Sequence, residues 1–518
     1  MFRKFLCSAL AAMCLALGLS GCGGGANSFT WRVDTLPANL DPQLASESSD
    51  VTACLNLYSG LFRLDANGVV QPDACEDYEV SPNGLTYTFH IKNGLTYNGY
   101  RGAANATPVT AQDFAFGLQR VFLPETSSPY TEAFSCISGS DKALRGDASA
   151  LGVQAADDHT LVITLSHKDA DFTRKLCLPG AMPCNREFFE STGGAYALSS
   201  KMTLANGPFY LYNWTENGLF LRRKASGSLV NAVRIVLHSD DVSTEKPLTA
   251  PLQVQNEKAD AALYTGGEDT GLSSVRYTDT TWCLLFNTQN AMLSNLSLRQ
   301  ALAQAAYSAD LPPAEGLETA GGLIPPAVTV GSQSYRDAVG SALPASQNAA
   351  ALCQNALAEL GVSSVRGLTV LLPEDCPAAD AFASLNQLWQ SQLGLYINVQ
   401  QLPMEELLSA QSSGDYAIML LPLSSAENAP HALLRQFGDG GLCRWVSAEF
   451  QARTAALSPA APGYAQDCAA LKRELLNEAV LVPLFFQQQQ LLISPKVSGL
   501  VFDPFGPTVD LTWACKSR

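Results

Sequence analysis

The sequence predicts an α/β fold built on an open sheet with parallel strands, and two observations lead to it. Strand and helix signals alternate in the second half of the chain, with a buried strand at 368–372, an amphipathic helix at 378–393 and an apolar strand at 416–421. In the first half strand signals dominate, and the segment 85–91 alternates apolar and polar residues with a period of two. Strand–helix–strand runs of this kind form parallel sheets whose faces are covered by helices.

The elements can be assigned in order along the chain. A strand at 29–33 opens the first half. Thr110 is placed to cap a helix, and Asp113 lies three residues on, as the acid of a capping box does. A turn then leads into a strand at 161–165. The second half adds helices at 298–307, 349–360 and 405–412 and a strand at 397–399.

Composition describes a well-packed globular protein, with 47% hydrophobic and 15% charged residues. Beyond the N-terminal segment, no run of residues is long and apolar enough to span a bilayer, so no second membrane anchor is expected. The formal net charge of −16 argues against a nucleic-acid partner, because phosphates require a basic surface.

The N-terminal segment has the features of a lipoprotein signal. A short basic start precedes an apolar run at 5–19, which is too short to span a bilayer as a mature helix. The run ends in Leu-Ser-Gly-Cys at 19–22, which resembles the lipobox of bacterial lipoproteins. We therefore predict a signal peptide over 1–21, diacylglyceryl attachment at Cys22, a lipidated tether over 22–27, and an extracytoplasmic protein anchored to the bacterial cell membrane. The alternative is an ordinary secretory signal with an incidental cysteine.

Eleven of the 14 cysteines follow Cys22. In an extracytoplasmic protein they invite a disulfide interpretation, and the odd number leaves at least one thiol unpaired. The alternative is that several are small buried hydrophobic residues. Candidate short-range pairs are Cys54–Cys75, Cys177–Cys184, Cys353–Cys376 and Cys443–Cys468.

No catalytic motif stands out. The five histidines have no metal-ligand spacing, no CxxC pair indicates zinc, and neither a GxSxG elbow nor a GxxxxGK[ST] phosphate loop occurs. We therefore predict that the protein is not an enzyme and has no catalytic residue, no resident metal and no cofactor.

Several motifs lie in one order along most of the chain. The most specific is Pro-Val-Thr-Ala-Gln-Asp-Phe at 108–114, which closes with Gln-Arg at 119–120. The others are Leu-Asp-Pro at 40–42, Tyr-Ser-Gly-Leu at 58–61, the hairpin at 85–94, Asn-Gly-Pro-Phe at 206–209 with Trp214, and Val-Pro-Leu-Phe at 482–485. Together they resemble the family of extracytoplasmic solute-binding lipoproteins that deliver oligopeptides, dipeptides or nickel to ABC importers.

The resemblance implies a fold like that of the type II periplasmic binding proteins, with two α/β lobes hinged around a cleft plus an inserted lobe. Lobe I is expected at 28–47, 160–265 and 480–518, lobe II at 48–159 and lobe III at 266–479. The implied function is the capture of a peptide-like solute in the interlobe cleft. The implied partners are ABC permease subunits with cytoplasmic ATPases, and the protein is expected to act as a monomer.

The resemblance also implies the ligand site. In peptide-binding members, an aspartate after the strand that corresponds to 416–421 holds the ligand's free amino group. Here Ala426 stands near that position, so Glu427 is the candidate substitute. The full predicted set of ligand residues is Asn206, Trp282, Glu427, Asn428, Phe485, Phe486 and Gln487, with the two phenylalanines as apolar walls and the amides as backbone partners.

Alternatives remain open from the sequence. Asn206 can be a turn residue only, and Trp282 can belong to the core. The ligand can be a metal chelate, for which His431 is the candidate, or an oligosaccharide. The protein can also be a signalling-peptide receptor without uptake.

Overall fold

The computed structural model describes residues 27–103, 105–224, 227–237, 248–331, 333–340, 343–425, 427–459 and 461–517. The predicted signal peptide, Cys22, the tether as far as residue 26 and Ala426 lie outside the described residues. None of the described helices is long and apolar enough to cross a membrane.

The chain divides into two compact units. The first contains the chain up to Ala262, together with Ile493–Phe502 and the C-terminal segment from Thr508. The second contains Leu263–Leu492 and Asp503–Pro507.

Four strands of a large sheet lie in the first unit. In spatial order they are Ser28–Val33, Ala232–Leu237, Gly218–Arg223 and Phe209–Thr215. The first two strands are parallel and the others antiparallel. Phe29 and Trp31 are buried on the opening strand, as its apolar sequence requires. Besides the helix Ala111–Val121, the helices of this unit are Ser48–Leu57, Ser140–Ala143, Phe172–Lys175, Arg186–Ser191 and Ala250–Gln255. Its short strands are Phe62–Leu64, Val70–Pro72, Val497–Ser498, Val501–Asp503, Thr508–Asp510 and Cys515–Lys516.

A second, antiparallel sheet in the first unit has the strand order Cys75–Val80, Thr86–Ile91, Thr160–Thr164 and Val153–Ala155. Its core also includes the apolar face of the helix Ala111–Val121. The predicted capping box is present at the start of this helix, where the Thr110 amide donates to the Asp113 carboxylate at 2.8 Å.

The extent of this second sheet can be compared with the predicted end of lobe II. The sequence placed that boundary at 159, between the two strands of one hairpin. In the structure, Thr160–Thr164 pairs with both Val153–Ala155 and Thr86–Ile91, so the sheet extends past residue 159. Phe172 and Leu176 also pack into the same core. The sheet and its core therefore favour a lobe II that extends beyond Leu176, and the lobe boundary stays a prediction.

The second unit has the α/β alternation that the sequence predicts. Its sheet has the order Asn398–Leu402, Thr369–Pro373, Ile418–Ser424, Ser273–Phe286 and Leu481–Ile493. The first three strands are parallel, as predicted, while Ser273–Phe286 runs antiparallel to Ile418–Ser424. Its helices are Leu296–Ser308, Tyr335–Val339, Ala349–Leu360, Ala379–Leu388, Met404–Ser413, Pro430–Leu434, Ala448–Ala455 and Tyr464–Asn477, and its short strands are Leu317–Thr319, Thr329–Val330 and Gln333–Ser334.

The strand Leu481–Ile493 falls in the last predicted segment of lobe I, which starts at 480. Val482, Leu484 and Phe485 lie in the same core as Leu284 and Phe286 of the second unit. The strand therefore belongs almost entirely to the second unit, and the chain returns to the first unit at Ile493. The short strand Leu317–Thr319 pairs with its middle.

All eleven described cysteines are free thiols, so the candidate disulfides are not present. Nine of these cysteines are buried, and Cys177 and Cys515 are half-buried. Burial raises the pKa of the Cys184 thiol and of the Cys177 thiol to about 12 each, so both are protonated and weakly nucleophilic at neutral pH.

We expect Cys515 to be the one mature-domain thiol that reacts quickly with a disulfide reagent in the native protein. Thiol titration in denaturant should then give all eleven. A smaller number in denaturant, restored by prior reduction, would show that disulfides form.

Candidate functional site

The predicted ligand residues are divided between the units. Asn206 belongs to the first unit, and the other six belong to the second. Each group is therefore described within its own unit.

Asn206 holds two segments of the first unit together. Its side-chain oxygen accepts from the Ser59 amide at 3.0 Å, and its side-chain nitrogen donates to the Ser59 carbonyl at 2.9 Å. The next residue, Gly207, approaches the end of the helix Ser48–Leu57 so closely that a Cβ would lie 2.4 Å from the Leu57 carbonyl oxygen. Both polar ends of the Asn206 amide are thus used within the unit, as the turn-residue interpretation expects.

Trp282 and Gln487 form a pair in the second unit. The indole Nε1 donates to the Gln487 side-chain oxygen at 2.8 Å. Trp282 is 5% exposed and packs in the core that contains Leu284 and Phe485, whereas Gln487 is half-buried. The tryptophan therefore orients the glutamine amide, whose nitrogen remains the group with capacity to donate.

Phe485 and Phe486 point to opposite faces of their strand, and both side chains are fully buried. Phe485 packs in the apolar core, and the Arg336 guanidinium lies 5.3 Å from the centre of the Phe486 ring. The edge of the strand is covered here by Leu317–Thr319. The role of Phe485 and Phe486 as ligand walls stays a prediction.

The segment after the strand Ile418–Ser424 is fixed by short hydrogen bonds. Asn428 accepts from the Thr329 amide at 2.7 Å and donates to the Thr329 hydroxyl at 2.8 Å. Ser425, which is buried, donates through its hydroxyl to the Glu427 carbonyl at 2.5 Å. The backbone around Glu427 is therefore held on both sides.

The Glu427 carboxylate is the exposed member of a short polar chain. Its side chain is 52% exposed, and one oxygen lies 3.4 Å from Nε2 of the buried His431. The other ring nitrogen, Nδ1, lies 2.5 Å from the Tyr464 hydroxyl. Burial raises the pKa of Tyr464, so this hydroxyl stays protonated beside the imidazole.

A buried polar cluster next to this region was missed from the sequence. The Gln489 side-chain nitrogen donates to Asp279 at 2.6 Å, and the Tyr277 hydroxyl donates to the Gln489 oxygen at 3.3 Å. Asp279 is 4% exposed, and burial raises the pKa of its carboxyl. The signal that could have found it is the run of four glutamines from 487, which is unusual inside an apolar strand.

The chemistry available here is that of binding. Glu427 supplies an oriented anionic acceptor for a cation or an ammonium group, and Gln487 supplies an amide donor. Among the described residues, no group of three or more His, Cys, Asp or Glu side chains could hold a metal ion.

The comparisons with known proteins concern the family and the fold. Residues 69–441 match the model for the bacterial extracellular solute-binding proteins, family 5. The chain belongs to this family. The matched segment begins just before the strand Val70–Pro72 and ends beyond Glu427, so it includes most of the predicted ligand residues.

Three relatives of this family 5 protein have names that state a ligand. The "Probable deoxycholate-binding periplasmic protein YgiS" of Escherichia coli (strain K12) is 32% identical over 200 residues, 38% of this chain and 36% of that protein. The oligopeptide-binding protein SarA of Streptococcus gordonii is 33% identical over 198 residues, 37% of this chain and 30% of that protein. The match therefore spans about a third of the length of each. The dipeptide-binding protein of Lactococcus lactis subsp. cremoris is 23% identical over 93% of both chains.

Solved structures of the same fold extend over nearly the whole family 5 chain. The substrate-binding domain of an oligopeptide ABC transporter from Bacillus anthracis superposes with a TM-score of 0.74 at 22% identity, covering 95% of this chain and 99% of that one. OppA of Listeria monocytogenes bound to peptide gives a TM-score of 0.72 at 20% identity, covering 96% and 100%. The predicted fold class and the predicted family are thereby confirmed.

Proposed function

We propose that this protein is the substrate-binding component of an ABC importer, which binds a peptide-like solute reversibly and delivers it to permease subunits with cytoplasmic ATPases. The observation that carries the proposal is the end-to-end match to a dipeptide-binding protein, over 93% of both chains. The fold shared with a peptide-bound OppA supports the same class of ligand. The proposal includes no catalytic step and no cofactor, and the protein acts as a monomer.

In this proposal Glu427 accepts the ligand's amino group and Gln487 donates to a ligand carbonyl. Their geometry supports these roles, because Glu427 is half-exposed and Gln487 is oriented by Trp282. The amides of Asn206 and Asn428 act by fixing Ser59 and Thr329. Phe485 and Phe486 complete the proposed set.

We also propose three lobes for the described chain. The second unit is lobe III, the region around the four-stranded antiparallel sheet is lobe II, and the rest of the first unit is lobe I. The separate core of that antiparallel sheet supports its treatment as an inserted lobe.

The direct test is native mass spectrometry of the purified full-length protein, followed by calorimetry with a mixture of di- to octapeptides. We expect a co-purified peptide or a saturable heat of binding, with no change in peptide mass after long incubation. Absence of peptide binding together with a co-purified metal chelate would contradict the proposed ligand class, and hydrolysis of the peptides would contradict the absence of catalysis.

We propose that the mature protein is anchored through a diacylglyceryl group on Cys22, and the lipobox-like sequence at 19–22 supports this. Replacing Cys22 with Ala should leave the protein without lipid and release it from membranes into the soluble fraction. Cys54→Ala, a change at a buried thiol of the folded part, is the matched control and should stay with membranes. Equal membrane retention of the Cys22→Ala variant and the parent would contradict the lipid anchor.

A further inference from the structure

The first unit contains a groove that none of the predicted ligand residues lines. Its volume is about 660 Å³, and its walls are the segment 36–38, Tyr100, the loop 198–201 and the strand end 214–216. Small-molecule sites in proteins have volumes of roughly 300–1,000 Å³, so the groove is large enough for a ligand of several rings.

The apolar wall of the groove consists of an oriented indole and two exposed side chains. Trp214 donates through Nε1 to the Pro37 carbonyl at 3.2 Å, which satisfies the polar edge of the indole and fixes the ring. Tyr100 is 38% exposed and Leu198 is 53% exposed, although both are large hydrophobic residues. Three such groups around one groove form an apolar surface that solvent reaches.

Residues with left-handed backbone conformations lie next to the two exposed side chains in the chain. Arg101 (φ 54°) follows Tyr100, and Ala197 (φ 59°) precedes Leu198; such conformations cost free energy for residues other than glycine. The Arg101 guanidinium also lies 5.3 Å from the centre of the Tyr100 ring.

The polar wall carries hydroxyl groups and one charge of each sign. Ser199, Ser200 and Thr215 supply hydroxyls, which both donate and accept hydrogen bonds. Lys201 and Glu216 lie in the same lining, so their formal charges cancel. A ligand that fits this wall is uncharged overall and rich in groups that donate and accept hydrogen bonds.

Two backbone groups of the segment 36–38 are already hydrogen-bonded within the unit. Pro37 has no N–H, and its carbonyl accepts from Trp214. The Ala38 amide donates to Asp50 at 2.8 Å. Peptides that bind as an added strand require free backbone donors and acceptors. The Pro37 carbonyl and the Ala38 amide are therefore not free to pair with a peptide, which favours recognition through the side chains of the groove.

We propose that this groove binds a neutral sugar chain, in addition to the solute site proposed above and independently of it. A sugar ring presents a face of C–H bonds that can stack on Trp214 or Tyr100, while its hydroxyls meet the polar wall formed by Ser199, Ser200 and Thr215. An aromatic platform beside uncharged hydroxyl groups is the chemistry that recognises a carbohydrate.

The test is calorimetry of the full-length protein with chitotetraose, cellotetraose and maltotetraose at millimolar concentrations. At least one should bind with a dissociation constant near or below about 1 mM, which corresponds to about 4 kcal/mol. Tyr100→Ser and Trp214→Leu should each weaken that affinity at least tenfold. Tyr396→Ser, which changes a tyrosine that is 71% exposed in the second unit, is the matched control and should leave it unchanged.

Because Trp214 bonds to the backbone, Trp214→Leu can destabilise the fold, so the exposed Tyr100→Ser carries the test. Peptide binding at the solute site should be the same in Tyr100→Ser and the parent, which separates this proposal from the proposed transport function. Failure of all three sugars to bind, or equal sugar affinity in Tyr100→Ser, would overturn the proposal. Peptide binding that depends on Tyr100 would also overturn it.

Discussion

Replacing Arg120 with Met should lower the free energy of unfolding by about 3–5 kcal/mol, because it leaves a buried carboxylate without its partner. The Arg120 guanidinium contacts Asp41 at 2.5 and 3.0 Å, and both side chains are 3% exposed. It also donates to Gln43 at 2.6 Å and lies 4.1 Å from the centre of the Phe189 ring. Urea denaturation followed by circular dichroism would measure the change.

The matched control is Arg453→Met. Arg453 pairs with Glu474 at 2.5 Å, but the two side chains are 42% and 29% exposed. Ion pairs in such positions contribute about 0–1 kcal/mol, so this variant should unfold close to the parent. If both variants lose the same small amount, burial does not make the Arg120–Asp41 pair important and the expectation is wrong.

The Arg120–Asp41 pair also explains two of the sequence motifs. Asp41 comes from the Leu-Asp-Pro motif, and Arg120 closes the helix motif that begins at Thr110. The contact joins two residues that lie 79 positions apart along the chain. The motifs are thus residues of one packed network rather than ligand groups.

Local signals predicted the elements of the fold well, because caps and apolar periodicity act over a few residues. The helix Ala111–Val121 and its capping box were identified in this way, as was the parallel arrangement of Thr369–Pro373 and its neighbours. The ends of the units are harder to predict from such local signals. The strand Leu481–Ile493 is buried on both faces, and an apolar run does not say which core receives it.

The candidate site was less predictable, because its hydrogen bonds join residues distant in the chain. The partners of Asn206 and Asn428 lie 147 and 99 positions away, so no local pattern could show that both amides are occupied. Trp282 and Gln487 were singled out separately, but the bond between them spans 205 positions. The contact between Glu427 and His431 is local, since the two residues are four positions apart in the chain.

The contact with His431 makes Glu427 the residue with the largest expected effect on binding. A carboxylate that is half-exposed can reach a ligand, and a carboxylate that lies 3.4 Å from Nε2 of the buried His431 loses little freedom when it does so. The Tyr464 hydroxyl fixes the histidine ring from behind. A free peptide amino group would therefore meet a carboxylate that has a defined position and is 52% exposed.

Replacing Glu427 with Gln should weaken the binding of peptides with a free amino end about tenfold, or about 1.4 kcal/mol, and spare the same peptides after N-acetylation. Glutamine keeps the size of the side chain and removes only its charge, so the difference between the two ligands reports the ionic contact. Calorimetry with one peptide in both forms would measure it. Glu405→Gln, at an exposed carboxylate in the same unit, is the control and should change neither affinity. Equal losses for both forms, or no loss for either, would show that Glu427 does not bind the amino group.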